Sequence, residues 1–174
     1  SSAASDVYKR QAYTLFGKST GSMLLPPAYQ CATPFGANTG GTNPAFWAVA
    51  NNAALGFAQY DSWLTGGLMA GDASGAMSSI GLDFDGWTET SPLSTEDGAV
   101  FWMSPDDGPV GPDVVVGQVT VRAGSSGTGT MGAQGRSKTG GLGFDYQQAI
   151  SIELGSGGSA PPPPPTPTPP SPPD

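Results

Sequence analysis

The sequence predicts an all-β domain: an antiparallel β-sandwich or jelly roll of about seven or eight short strands, at most one short helix, and a polyproline II tail. Three observations lead there. Short apolar runs alternate with polar residues and recur between Gly, Asn, Asp and Pro punctuation. Charge is sparse, with 6 basic and 14 acidic residues and a net charge of −8. Ten of the 18 prolines crowd into Pro161–Pro173, so the rest of the chain carries an ordinary load for a folded domain.

The strands follow in order. Ala12–Phe16 and Met23–Leu25 form a first pair, with Gly17-Lys18-Ser19-Thr20-Gly21-Ser22 as the turn between them. Asn43–Phe57 is alanine-rich, and Asn43 followed by Pro44 makes a helix start. Asn51, Asn52 and Gly56 interrupt it, which gives a short helix or compact loop over one end of the sandwich. Tyr60–Leu68 alternates, and so does Ser78–Phe84, with Ile80, Leu82 and Phe84 on one face. Ala99–Ser104 is an aromatic run around Phe101 and Trp102. Asp113–Arg122 reads DVVVGQVTVR and has the densest β-branched content of the chain, so it reads as the clearest strand. Gly127–Gly135 and Asp145–Leu154 close the set, the latter with Tyr146, Ile150 and Ile152 inward. The Gly-rich strings Gly124–Gly135 and Gly140–Gly143 lack the helix and lysine of a phosphate loop and read as hairpin tips.

Composition removes several kinds of chemistry. With no histidine and one cysteine, Cys31, the chain cannot build a Ser–His–Asp or Cys–His relay, a Cys/His zinc site or an internal disulfide. Cys31 reads as a small buried hydrophobe, with an intermolecular disulfide as the alternative. Six scattered cations cannot neutralise a run of phosphates, so nucleic acid is not expected as a partner. No apolar stretch approaches the ~20 residues of a spanning helix, so membrane insertion is not expected. No Asn is followed by the hydroxyl residue of an N-glycosylation site.

Four segments are expected. The chain opens at Ser1 without methionine, as cleavage of a secretory signal or an incomplete gene model would leave it. Residues 1–11 are set apart because Asp6-Val7-Tyr8-Lys9-Arg10-Gln11 resembles the read-through translation of a sequencing adaptor. Residues 12–154 form the β-domain, 155–160 a Gly/Ser hinge, and 161–174 an extended proline-rich tail.

Two resemblances add to this reading. Pro26–Phe46, the YDSWLTGGL run at Tyr60–Leu68, and FWMSPDDGPVGPDVVVGQVTV at Phe101–Val121 occur in that order. Together they resemble a family of secreted β-domains of aquatic microbes and exported bacterial proteins. The resemblance implies a β-sandwich and secretion but assigns no activity, and a longer first strand ahead of Ala12 would be expected. The tail PPPPPTPTPPSPPD resembles the hydroxyproline-rich tracts of green-algal and plant cell surfaces, the extensin-like and pherophorin-like rods. That resemblance implies hydroxylation and O-linked sugars on Pro161, Pro162, Pro163, Pro164, Pro165, Thr166, Pro167, Thr168, Pro169, Pro170, Ser171, Pro172 and Pro173. A bare spacer and a PxxP ligand are the competing readings.

The carboxylates cluster at Asp83 and Asp85, Glu96 and Asp97, and Asp106 and Asp107. Asp83, Asp85, Asp106 and Asp107 are the residues that would serve a calcium ion, yet none has a calcium-loop spacing, and local turn caps explain them more simply. Paired carboxylates for glycoside hydrolysis are a third, weaker reading. Trp47, Trp63, Trp87, Trp102, Tyr29 and Tyr60 read as core and edge packing, with a sugar-stacking platform as the alternative. The expected role is thus a non-enzymatic extracellular structural protein without a cofactor. Its partners would be copies of itself in a surface layer or helical fibril joined through strand edges, and the O-glycans of its stalk. A carbohydrate-binding module of a larger secreted protein is the alternative. For assembly, the segment Ala12–Leu25 would complete a neighbour's sheet, with Tyr13, Leu15, Met23 and Leu25 as inserting side chains.

Overall fold

One long strand organises the computed structural model, which describes residues 9–139 and 142–154. These residues hold β1 (Lys9–Leu25), β2 (Asn51–Asn52), β3 (Gly56–Phe57), β4 (Trp63–Leu64), β5 (Met77–Ile80), β6 (Leu93–Trp102), β7 (Gly117–Gln118), β8 (Gly127–Thr139) and β9 (Leu142–Leu154). A single short helix, α1 (Trp47–Ala50), follows a 3-10 turn at Pro44–Phe46, with further 3-10 turns at Ala58–Tyr60 and Pro105–Asp107. Asn43 starts this stretch as expected: its side chain accepts from the Ala45 amide at 2.9 Å, with Pro44 in the first turn.

β1 lies at the centre of a five-stranded antiparallel sheet of order β5-β6-β1-β8-β9. Its inward residues Leu15, Met23 and Leu25 are all but inaccessible. They pack with Leu93, Val100 and Trp102 of β6 and with Met131 and Ala133 of β8. Two short ladders, β2-β3 and β4-β7, belong to the segments that cover this face. Leu64 and Trp87 from the covering segments close the core. The architecture is therefore all-β and sandwich-like, with one regular layer and one irregular layer.

Irregularity in the second layer has visible causes. Gly41 sits at φ 80°, and a Cβ there would lie 2.3 Å from the Met69 carbonyl, so the chain crosses itself where no other residue fits. The layer is held by single bonds rather than long ladders. The Trp87 indole donates to the Pro26 carbonyl at 2.8 Å and the Trp102 indole to the Gly66 carbonyl at 3.0 Å. These bonds let large aromatic rings bury without leaving their N–H groups unpaired.

Several expected elements take a different form. Ala12–Phe16 and Met23–Leu25 are one strand, and Gly17–Ser22 is a bulge within it rather than a turn. Lys18 pairs with Asp97 and Met23 with Thr95, so Ser19 to Ser22 are accommodated opposite Glu96 alone. The strand begins at Lys9, ahead of the expected boundary at residue 12, and Gln11 is buried and donates to the Gly108 carbonyl at 2.7 Å. Tyr60–Leu68 shrinks to β4, and Asp113–Arg122 to β7. Gly127–Gly135 is strand, as expected, within the longer β8, so the hairpin-tip reading of Gly124–Gly135 holds at most ahead of Gly127. Gly132 and Gly135 have neighbours in the way of a side chain: a Cβ at Gly135 would stand 1.8 Å from the Gln11 carbonyl.

Candidate assembly surface

The sheet ends on β9. Its inner side is paired with β8 through an unbroken register, from Gly127 opposite Leu154 to Thr139 opposite Leu142. Among the described residues nothing pairs with its outer side. A strand of 13 residues therefore offers roughly 40 Å of free backbone donors and acceptors. Natural edges are commonly blunted by lysine, proline, bulges or brevity. The segment LGFDYQQAISIEL has no Lys, Arg or Pro, and its register runs without a shift. The opposite edge, β5, is short and carries Ile80 at 68 % exposure.

β9 is seated firmly enough to act as a template. Ile150 and Ile152 pack against the main core, in the inward parity that the alternation predicts. Opposite Gly135, the Tyr146 hydroxyl donates to the Gln11 carbonyl at 3.1 Å, and partial burial pushes this phenol up. Arg136 of β8 donates to Asp145 of β9 at 3.3 Å and also to Asp106, which fastens the Pro105–Asp107 turn to the hairpin.

A groove of about 470 Å³ runs beside this edge, lined among others by Phe16, Lys18, Thr20, Thr130, Gln147 and Ala149. Gly132 makes its floor. A Cβ at that position would meet the Phe16 ring at 2.5 Å, so the missing side chain lets the aromatic ring lie across the sheet. Lys18 Nζ stands 5.6 Å from the centre of that ring and donates to Gln147 Oε1 at 3.3 Å. An apolar floor with a polar rim next to free backbone groups suits an added strand: the backbone would pair while alternate side chains fill the groove.

The residues expected to insert into a neighbour lie elsewhere. Leu15, Met23 and Leu25 are core residues of their own subunit, and Tyr13 packs beside them with its hydroxyl accepting from Gln134 at 3.0 Å. β1 lies between β6 and β8 and is paired with both from Thr14 to Phe16, so the expected short first strand is a long central one. The expectation is corrected on that ground.

The acidic residues do not converge. Asp83 accepts from the Gly86 amide at 2.9 Å as a local turn cap, Asp85 is exposed, Asp106 is paired with Arg136, and Asp107 is exposed in its 3-10 turn. Among the described residues no three Asp, Glu, Cys or His side chains are grouped as a metal site would need. The tail residues Pro161–Pro173 lie outside the described residues.

Of the aromatics, Trp63, Trp87 and Trp102 are buried and Trp47 is half-buried, as core packing requires. Tyr29, Phe57 and Tyr60 instead line a surface groove of about 230 Å³. Phe57 is absent from the aromatics singled out in the sequence, because its place beside Tyr29 and Tyr60 is set by long-range packing.

One buried carboxylate also escaped it. Asp61 is wholly enclosed, with Oδ1 accepting from the Cys31 amide at 2.7 Å and Oδ2 from the Ala37 amide at 2.6 Å. It pins the Cys31–Ala37 loop to the turn before β4. Burial pushes this carboxyl up to about 6, against the pull of the amides of Cys31, Ala37 and Ser62. Cys31 beside it is buried, and burial and the Asp61 charge push its thiol up, which makes it a poor nucleophile.

Comparison of the chain with protein-family models, with curated proteins and with solved structures found no match in any of the three. No helix among the described residues is long and apolar enough to cross a membrane.

Proposed function

We propose that this chain is an extracellular structural subunit that assembles into a fibril or surface layer by adding strands at its sheet edges. The observation that carries the reading is β9: thirteen residues long, unpaired among the described residues on its outer side, and without the lysines or prolines that blunt an edge. Pairing β9 of one copy with a different edge, such as β5, of the next joins two unlike surfaces. Contacts of that kind propagate into open filaments when the rotation does not close. The proline-rich tail would leave the body at Leu154 as a stalk, its prolines and Thr166, Thr168 and Ser171 carrying the O-linked sugars that its resemblance implies.

The test is direct. Ala149 and Ser151 are exposed on β9, so exchanging both for lysine leaves the core untouched. Filaments seen by negative-stain microscopy of the wild-type chain are expected to vanish in the Ala149→Lys/Ser151→Lys variant, which should stay soluble and monomeric with an unchanged thermal transition. Filaments that persist in the variant would refute the edge.

A carbohydrate-binding module is the second reading, favoured by the Tyr29, Phe57 and Tyr60 groove. Its rings fit it less well. Phe57 and Tyr60 stand 6.5 Å apart at 50°, so only one of them can lie flat against a given sugar face.

A further inference from the structure

We infer that this aromatic groove is the seat of the chain's own proline-rich segment, Pro161–Pro173. The inference concerns the unmodified segment: it leaves the edge-assembly reading untouched and stands as the alternative to a glycan-carrying stalk. The groove is longer than its aromatic part. A second hollow of about 250 Å³, with Pro26, Pro27 and Leu154 in its wall, shares Tyr29, Glu89, Val121 and Arg122 with the hollow that holds Phe57 and Tyr60. The two make one channel that begins at the last residue of β9. The described chain ends in the wall of this channel, at Leu154. Six hinge residues, Gly155–Ala160, separate it from Pro161 and span at most about 20 Å.

The chemistry of the channel matches a proline-rich strand better than an ordinary peptide. Polyproline II segments dock on aromatic-lined grooves, where the pyrrolidine rings sit between aromatic side chains. Proline offers carbonyls but no N–H, so its seat needs donors. The Tyr29 hydroxyl accepts from the Phe57 amide at 3.0 Å, and among the described residues no acceptor takes its own proton. Arg122, held by Glu89 at 3.2 Å, puts further N–H groups on the rim, and Ser125 and Ser126 add hydroxyls. Stiffness also favours the segment, since a preformed polyproline helix loses little entropy on docking. Its own tail is the favoured occupant because a short flexible hinge sets an effective concentration in the millimolar range, above that of a neighbour's tail in dilute solution.

The experiment uses the full, unmodified chain with Thr166→Cys carrying a nitroxide. Cys31 is buried with its thiol pushed up, so the label goes to the new thiol. In dilute solution the amide signals of Tyr29, Phe57, Tyr60 and Val121 are expected to broaden strongly and independently of protein concentration. Exchanging both Phe57 and Tyr60, each well exposed, for alanine should abolish that broadening while the rest of the spectrum stays put. Three results would overturn the inference. One is an absence of broadening in the channel. Another is broadening of unlabelled, isotope-enriched chains mixed with labelled ones, which would make the occupant a neighbour's tail. The third is a cello-oligosaccharide that shifts the channel signals without displacing the label, which would make the channel a sugar site.

Discussion

Asp61→Ala is expected to lower the melting temperature of the molecule by about 10 °C. The carboxylate is the acceptor for the amides of Cys31 and Ala37 in a fully enclosed position, and alanine leaves both donors buried without partners. Each orphaned buried donor costs about 1–3 kcal/mol, and the loop from Cys31 to Ala37 loses its anchor, so a total of roughly 4 kcal/mol is expected. Against the ~5–15 kcal/mol of a typical domain, that lowers the melting temperature far enough to read by circular dichroism. A melting temperature within a degree or two of wild type would show that the loop is held by something else.

The same residue sets a pH dependence. Its folded value of about 6 exceeds the ordinary 3.8, so between those values the folded chain holds a proton that the unfolded chain releases. Stability from this group is full below the ordinary value and is lost as pH rises through 6. Going from pH 7 to pH 4 should add roughly 2 kcal/mol from this one group. In Asp61→Asn that increment should disappear, while an acid-stabilised Asp61→Asn would assign the effect to other carboxyls.

Leu15→Asp and Leu25→Asp are expected to destroy the fold, not merely to stop assembly. Both side chains are among the least accessible in the molecule, on a strand paired along both sides. A carboxyl there must be buried charged or buried neutral, and either costs several kcal/mol on top of the ~2 kcal/mol of lost apolar burial. Either variant should show no cooperative thermal transition and no dispersed side-chain NMR signals. A soluble, folded Leu15→Asp/Leu25→Asp chain that no longer polymerises would instead restore Ala12–Leu25 as the segment passed between subunits.

What the sequence made legible follows what each residue pattern reports. Alternation marked a strand whose one face is buried in the regular sheet, Ile150 and Ile152 on β9, while β6 was found only in part, through its aromatic run at Phe101 and Trp102. It failed in the covering layer. The β-branched run at Asp113–Arg122 has the composition of a strand, yet only Gly117 and Gln118 pair in a ladder. The rest of it is held by separate bonds, such as Thr120 N–H to Ser62 Oγ at 3.0 Å and Thr65 N–H to the Val116 carbonyl at 3.0 Å. Such residues fit a half-buried surface, and that does not require a neighbouring strand. The opposite error arose at Gly17–Ser22, where turn-like composition conceals a bulge. A Cβ at Gly17 would stand 2.2 Å from the Thr95 carbonyl, so that glycine serves close strand approach and not chain reversal.

The assembly surface was half legible for the same reason. That edges would matter could be argued from the scarcity of lysine, but which strand is the edge is a property of topology. The order β5-β6-β1-β8-β9 puts the first strand in the middle and the last one outside. Only long-range pairing sets that order, and no local pattern in Ala12–Leu25 distinguishes a central strand from an edge strand. Asp61 was invisible on similar grounds, because its partners Cys31 and Ala37 are far away in sequence.

Amide hydrogen exchange on assembled against dilute protein tests the edge assignment most directly. Alternate amides of β9 between Asp145 and Glu153 face away from β8, and they should exchange fast in dilute monomer and become strongly protected in the filament. The β1 amides from Thr14 to Phe16 should be equally slow in both states, because that stretch is already paired on each side. Filaments in which the outward β9 amides still exchange at the monomer rate, while protection changes along β1, would contradict assembly through β9.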